Sequence, residues 1–566
     1  MELFDEEQRA AFTAGGWWTG RTWSGLFDAA VAARPDGLAL VDPLDRATVM
    51  GGPVRSLTWR ETADEVRRVS AALHGLGVRR GDVVGVQLPN VVELPLTLVA
   101  IARLGAVACP FPIQYRSHEL VRMSEMAGLG VFVTTTSALG RDLAAEAADF
   151  RERVPGLRAV AAFGDPASDP RLAALDATDD QVAAADAYVA SLDLGSADPV
   201  TIVWTSGTEG FPKGVPRAYG EWEVLGTACT ESPRLTADDV LLNPFPMVNG
   251  GGLAGMFVPW LLNGCTLVQH HPFDLERFCE QIERHRVTYT CAPPPVLNAV
   301  VSGRGPDRDL SSLRAVSSGS APLAGWMIDA WESGRGVEVL NLFGSNEGGM
   351  LFAEPETVPD PAQRGRLFPR YGRPGLAYRT RVASAMSARL VDLSDGTEID
   401  APGRPGELRL KGPAIFSGYL GRGREGFDED GWFCTGDVFE ISAENEDLLV
   451  HVDRAKDLIV RGGYKISAAE IEAIVTADPR VAEAAAVAMP DPDLGERLCL
   501  FVVPSSADEP VGLDEVVGIV KAADVAKFKW PERLEVVPAL PRNPVGKVLK
   551  RELREQLRAS DSTGGR

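Results

Sequence analysis

The stretch TSGTEGFPKG, residues 205 to 214, sets three glycines, three hydroxyl side chains and one lysine within ten positions. It follows DPVTIVW, an apolar run that reads as a buried strand. A turn of this composition can aim several backbone N–H groups at one anion while hydroxyls and an ammonium add donors and charge, so phosphate is the chemistry it suits. The order is not that of the NTPase P-loop, where Ser or Thr follows Gly-Lys; here Pro212 precedes Lys213 and Gly214 follows it. A polar surface turn has the same composition, and other segments must decide between the two.

Other chemistry-bearing patterns are weaker. GRGREG, residues 421 to 426, satisfies G-x-G-x-x-G, but SGYL precedes it and FDEDGWF follows, so the strand and helix of a dinucleotide site are missing. Cysteines 109, 229, 265, 279, 291, 434 and 499 form no C-x-x-C pair, which indicates buried reduced thiols and neither a zinc site nor a disulfide framework. His270 and His271 are adjacent, so their side chains point apart, and no third ligand is near in sequence.

The elements that position these residues belong to a chain of 566 residues, too long for one ordinary core, so two or more domains are expected. A net charge of −22 excludes a basic nucleic-acid surface. MELFDEEQRA is acidic where a secretory signal is basic and then apolar, and this places the protein in the cytoplasm. The most apolar stretch, LPLTLVAIARLGAVACPFP, is interrupted by proline, arginine and glycine, so it reads as a buried helix entering a strand and not as a membrane span.

Residues 56 to 135 alternate helical and short apolar segments in the rhythm of βαβ units. Residues 138 to 198 are Ala- and Asp-rich and read as surface helices and loops of little chemical importance. From 199 to about 350, VTIVW, GCTLVQ, VTYTCAPP, LRAVSSGSAP and VEVLNLFGS each run from an apolar stretch into small residues, and in an open α/β sheet such endings share the ligand-binding edge. Short strands such as GELRLKG between about 375 and 450 suggest a β-rich subdomain. The last hundred residues read as a separate α+β unit, with a capping box at Ser467 and Glu470, a terminal helix in GKVLKRELREQL and a disordered tail, DSTGGR.

Five segments then fall in one order: TSGTEGFPKG at 205, NLFGSNEGG at 341, GWFCTGD at 431, HVDRAKDLIVRGGYKISAAEIE at 451 and LPRNPVGKVLKREL at 540. Together they resemble the adenylate-forming superfamily of acyl-CoA synthetases, nonribosomal adenylation domains and luciferases, over nearly the whole chain. The resemblance implies an α/β fold: a large N-terminal domain of stacked α/β sheets with a β-rich subdomain, residues 1–455, and a small mobile α+β domain, residues 456–566. It also implies ATP, Mg2+ and CoA as reactants or cofactors, a small carboxylic acid as substrate, and no nucleic-acid partner.

By the same resemblance, Thr205, Ser206, Gly207, Thr208, Glu209, Gly210 and Lys213 cover the β- and γ-phosphates. Phe343 stacks on adenine, Gly319, Ser320, Ala321 and Pro322 line the base, and Asn341 meets its amino group. Gly344, Ser345 and Asn346 continue the nucleotide segment into Glu347, which helps to hold Mg2+. Asp437 takes the ribose hydroxyls, and Arg454 contacts ribose or phosphate. Lys547 is the cation at the α-phosphorus, Lys456 the hinge, and Gly462 and Gly463 the thiol entrance.

Departures from the family pattern are Phe343 for Tyr, Asn346 for Thr, and Asn249 in NPFPMVNGGGLAG, where an aromatic or His usually flanks the acyl pocket. Met247, Val248, Asn249, Gly250, Gly251 and Gly252 are the candidate acid pocket. Their glycines fit either a wall trimmed for a flat or bulky acid or a tight turn into a helix. The resemblance implies a carboxylate–CoA ligase for a medium-sized, cyclic or aromatic acid. Open beside it stand loading of a carrier protein in trans, nitrite activation for an aryl amine, and nucleotide binding without catalysis.

Overall fold

The computed structural model describes residues 2–563 except 166, 168, 206–211, 304, 320–322, 374–377, 463, 507–510 and 544–546. Four large sheets organise the described residues. The first runs in the order Met350–Ala353, Glu338–Gly344, Ala315–Gly319, Tyr289–Cys291, Val240–Asn243, Thr266–Gln269, Leu38–Val41, Ser56–Thr58. Its six inner strands are parallel and its two edges antiparallel. The second runs Gly214–Ala218, Pro199–Trp204, Val107–Pro110, Val83–Val86, Leu129–Thr135, Ala159–Phe163, Leu172–Ala174, parallel except at its Gly214–Ala218 edge.

The helix Glu93–Arg103 is buried from Glu93 to Ala102, as its largely apolar sequence requires of an inner-layer helix. It enters the strand Val107–Pro110, as the sequence suggested. The helix Trp59–Gly75 shows the other case: Thr58 and Glu61 close a reciprocal capping box, and one face only is buried. Residues 138 to 198 depart from expectation. Besides two helices they supply Ala159–Phe163 and Leu172–Ala174, which complete the second sheet; alanine-rich strands read as helix because alanine favours it in isolation.

The third sheet is antiparallel, Leu367–Pro369, Leu448–Arg454, Phe433–Ile441, Gly406–Lys411, Ser387–Val391, Glu398–Ile399, and is the β-rich subdomain expected there. One core joins all three sheets, through residues such as Leu40, Val84 and Leu408.

The fourth sheet, Tyr464–Ile466, Ile459–Arg461, Gly495–Pro504, Val481–Asp491, with Arg533–Val536 on its other side, has hydrophobic clusters of its own around Ile471 and Leu553. Only half of the expected capping box forms at Ser467. Its hydroxyl accepts the N–H of Glu470, while the Glu470 carboxylate turns to Lys529 Nζ at 2.7 Å. The last helix, Lys550–Thr563, runs through Asp561–Thr563 of the segment expected to be disordered; residues 564–566 lie outside the described residues. No described helix is long and apolar enough to cross a membrane.

Candidate active site

The parallel strands Val240–Asn243, Ala315–Gly319 and Glu338–Gly344 end on one edge of the first sheet, and the candidate residues follow those ends. The phosphate turn leaves the neighbouring sheet at Trp204. Thr205 and Lys213 clasp its base: Thr205 N–H donates to Lys213 C=O, and Lys213 N–H to Thr205 Oγ1, both at 3.0 Å. Ser206, Gly207, Thr208, Glu209 and Gly210 lie outside the described residues. The ammonium of Lys213 pairs with Glu425 Oε1 at 2.7 Å and sits 4.6 Å from the ring centre of Tyr419.

The Tyr419 hydroxyl donates to Glu347 Oε1 at 2.8 Å. Burial, reinforced by the Glu347 charge, raises the phenol far above its ordinary range, so it remains a donor. Asn346 is a bridge: its Nδ2 donates to Trp204 C=O at 2.9 Å and its Oδ1 accepts Gly250 N–H at 2.8 Å. This one amide joins the end of the strand Pro199–Trp204 to the turn at Gly250, and a threonine has no amide with a separate donor and acceptor atom. Arg217, fully buried, donates to Asn346 C=O at 3.0 Å and Ala414 C=O at 2.8 Å, and its Nε lies 3.2 Å from Glu221 Oε1.

Sequence reasoning missed Arg217 and Tyr419. An arginine between Pro216 and Ala218 looks like an edge-strand charge, and Tyr419 lies in the segment set aside with GRGREG. The available signal was the combination of a charged residue in an apolar strand with an acidic residue, Glu221, four positions on.

Asn341 is buried and spends Nδ2 on Arg364 C=O at 2.8 Å, which leaves its oxygen as the acceptor an amino group needs. Phe343 is half-buried, edge-on to Phe439 at 5.3 Å, with His451 6.3 Å away. Gly344 is exposed, and Ser345 N–H donates to Gly349 C=O at 2.9 Å. A Cβ on Gly319 would stand 2.2 Å from Leu342 C=O, so only glycine fits beside that strand. Ser320, Ala321 and Pro322 lie outside the described residues.

Asp437 and Arg454 are register partners in the third sheet, with Nε 3.3 Å from Oδ1. His451 Nε2 stands 3.9 Å from the same oxygen. Lys547 comes from the other end of the chain, where Lys547 N–H donates to Asn543 Oδ1 at 2.8 Å, and Asn543 N–H returns to Lys547 C=O at 2.9 Å. Burial lowers the Lys547 ammonium to about 8; Arg454 and Lys456 push the same way, and Asp437 and Asp457 oppose them. Lys547 therefore lies within electrostatic reach of Asp437 and Arg454. The backbone of Lys456 accepts from Arg554 Nη2 at 3.3 Å, and Arg554 also holds Asp457 at 2.5 Å. Gly462, at φ +56°, donates its N–H to Leu494 C=O at 2.7 Å; Gly463 lies outside the described residues.

On the acid side, Met247 and Val248 are buried, whereas Asn249 and Gly250 are half-buried and Gly251 is exposed. Asn249 Oδ1 caps the turn, accepting Gly252 N–H at 3.3 Å. A Cβ on Gly252 would lie 2.4 Å from Pro246 C=O, so this glycine serves the turn; at Gly250 and Gly251 nothing stands closer than 3.4 Å. A π-helical stretch, Leu253–Phe257, follows. A cavity of about 710 Å3, lined by Asp28, Arg34 and Arg103 among others, contains none of the candidate site residues.

Comparison with known proteins now decides the family. Its description, AMP-binding enzyme, matches residues 27–420, and the AMP-binding enzyme C-terminal domain matches residues 470–547. The chain belongs to the AMP-binding enzyme family. The salicyl-AMP ligase / salicyl-S-ArCP synthetase of Mycobacterium tuberculosis is 31% identical over 98% of this chain and 94% of its own length. The 2-hydroxy-7-methoxy-5-methyl-1-naphthoate–CoA ligase of Streptomyces carzinostaticus is 30% identical over 97% and 95%. Among solved structures, ATP-bound MatB from Rhodopseudomonas palustris aligns with a TM-score of 0.74 at 26% identity, covering 94% of this chain and 98% of its own. The anthranilate CoA ligase AuaEII, in complex with anthranoyl-AMP, shares the fold with a TM-score of 0.78 at 21% identity, covering 96% and 98%. This AMP-binding enzyme is an AMP-forming acid–thiol ligase of the carboxylate–CoA ligase type. It activates a carboxylic acid with ATP, releases pyrophosphate and transfers the acyl group to a thiol.

Proposed function

We propose that this ligase adenylates an aromatic acid bearing a hydroxyl ortho to its carboxylate and passes the aroyl group to CoA. The observation that carries the acid is the likeness, along almost the whole chain, to ligases whose names specify salicyl and 2-hydroxynaphthoate groups. Local chemistry supports it. Asn249 uses its oxygen on the turn, which leaves Nδ2 donors beside Gly250 and Gly251, the two glycines with room around them.

A carboxylate attacks the α-phosphorus poorly because both are anionic. The Lys547 ammonium, within electrostatic reach of Asp437 and Arg454, supplies positive charge where the pentacoordinate phosphorus forms, and Asp437 accepts the ribose hydroxyls. Lys213 and the turn it closes meet the departing pyrophosphate. Mg2+ belongs to this reading: no described group of three or more His, Cys, Asp or Glu side chains could hold an ion, but Glu347 suits one whose other ligands are phosphate oxygens and water. When bound, the ion neutralises phosphate charge.

Residues 1–455 and 456–566 are the two moving parts in this reading, with Lys456 as hinge and Gly462 and Gly463 at the thiol entrance after rotation. A second acceptor is favoured by one observation, the salicyl-S-ArCP relative: an aryl carrier protein acting in trans.

The test is ATP–pyrophosphate exchange across salicylate-type, unsubstituted aryl and fatty acids, followed by product analysis with CoA or an aryl carrier protein. Exchange greatest with 2-hydroxy acids, and thioester with CoA, is the expected result. Exchange confined to fatty acids would overturn the substrate, and thioester on the carrier alone would replace the acceptor.

A further inference from the structure

The segment around GRGREG, which carries no dinucleotide fingerprint, lies against Lys213 and Gly214. Tyr419 N–H donates to Gly423 C=O at 2.8 Å, and Gly418 allows the fold-back, since a Cβ there would stand 2.3 Å from that same carbonyl and its φ is +147°. On one side Leu420 N–H donates to the C=O of Gly214, the residue after Lys213, at 2.9 Å. On the other, Phe416 N–H donates to the C=O of Glu347 at 2.9 Å, and the Phe416 ring packs edge-on against Tyr419 at 4.7 Å. The backbone of residues 416–420 thus spans from the lysine to the carboxylate. The Tyr419 side chain repeats the span, with its ring face under the Lys213 ammonium and its hydroxyl on Glu347 Oε1.

We propose that Tyr419 is a positioning residue that sets Glu347 and Lys213 relative to each other for the pyrophosphate end of ATP. Glu425 Oε1 pairs with the same ammonium at 2.7 Å. The inference rests on the reading of Glu347 and Lys213 as phosphate-end groups. The hydroxyl leaves one carboxylate oxygen engaged and the other presented, and the ring gives a flexible lysine a fixed seat without neutralising it. The phosphate groups of ATP displace Glu425 from Lys213 as they arrive.

Isothermal titration of ATP, with Mg2+ and with EDTA, separates the parts. Tyr419→Phe keeps the ring and loses the hydroxyl, so ATP affinity with Mg2+ falls about tenfold, the worth of a hydrogen bond to a charged group, while affinity in EDTA is unchanged. Tyr419→Leu removes the seat as well and weakens both. Glu425→Gln, at an exposed position, tightens ATP binding about threefold, on the scale of one exposed ion pair.

Unchanged Mg2+-dependent affinity in Tyr419→Phe, or equal losses with Mg2+ and EDTA, would overturn the inference. Unchanged or weaker binding in Glu425→Gln would do the same through a variant that leaves Tyr419 intact. Glu347→Gln is the control for the underlying reading: if it retains the full Mg2+-dependent gain, the assignment of Glu347 fails. If it loses that gain and Tyr419→Phe does not, only the role of Tyr419 fails.

Discussion

The corner around Glu347 and the approach of Lys547 are held in different ways. Glu347 and its neighbour Asn346 receive bonds from the strand Gly214–Ala218 through Arg217, from Phe416 and Tyr419, from the Gly250 turn, and give one to Trp204. Lys547 is fastened to Asn543 close by in the chain, while the large sheets reach it by the charges of Asp437 and Arg454. A group that stays with the large sheets can be fixed by many bonds, whereas one carried on a separate unit that moves keeps few bonds to them. The small unit, with its own core, has the construction such a departure requires.

The sharpest way to break this contrast is Lys547→Ala. Adenylation falls by roughly 10² or more, a typical loss for one transition-state donor, and thioester formation from supplied acyl-adenylate is largely spared. Equal losses in both steps, in single-turnover assays, would make Lys547 a fixed part like Glu347. Lys456→Pro restrains φ at the hinge, so thioester formation stops while pyrophosphate exchange continues; both steps intact would remove the rotation.

The Lys547 environment predicts a pH signature. The ammonium is the working form, and burial brings it to about 8, so adenylation kcat/KM for ATP falls as pH rises through that value. Lys547→Arg keeps its charge there and the alkaline limb disappears; an alkaline limb unchanged in Lys547→Arg assigns it to another group. The smallest effects test the fixed region: Gly252→Ala costs about 1–3 kcal/mol of stability by collision with Pro246, and Gly251→Ala stays within about 0.5 kcal/mol in denaturant melts. Comparable losses at both would show that the glycines act together.

The sequence made the parallel-sheet rhythm, the strand endings and the separate C-terminal unit legible, because each is a local pattern of apolar runs closed by small residues. Asp437, Arg454 and Lys547 are singled out by resemblance alone, since nothing in the spacing of residues about a hundred positions apart says that they meet. Arg217, Tyr419 and the bridging role of Asn346 stayed hidden for the same reason. Each acts through backbone carbonyls or single atoms of distant segments, and a carbonyl has no sequence signature. The glycine run was legible as two alternatives, and the structure divides it: Gly252 is the turn, while Gly250 and Gly251 have the room.

The burial of Arg217 has a thermodynamic consequence. Its guanidinium is out of water and two of its nitrogens are on carbonyls, so the loops it staples are ordered when the chain folds and not when nucleotide arrives. Nucleotide then meets a corner whose conformational entropy is already lost, and its affinity reflects contact rather than the work of assembling the loops.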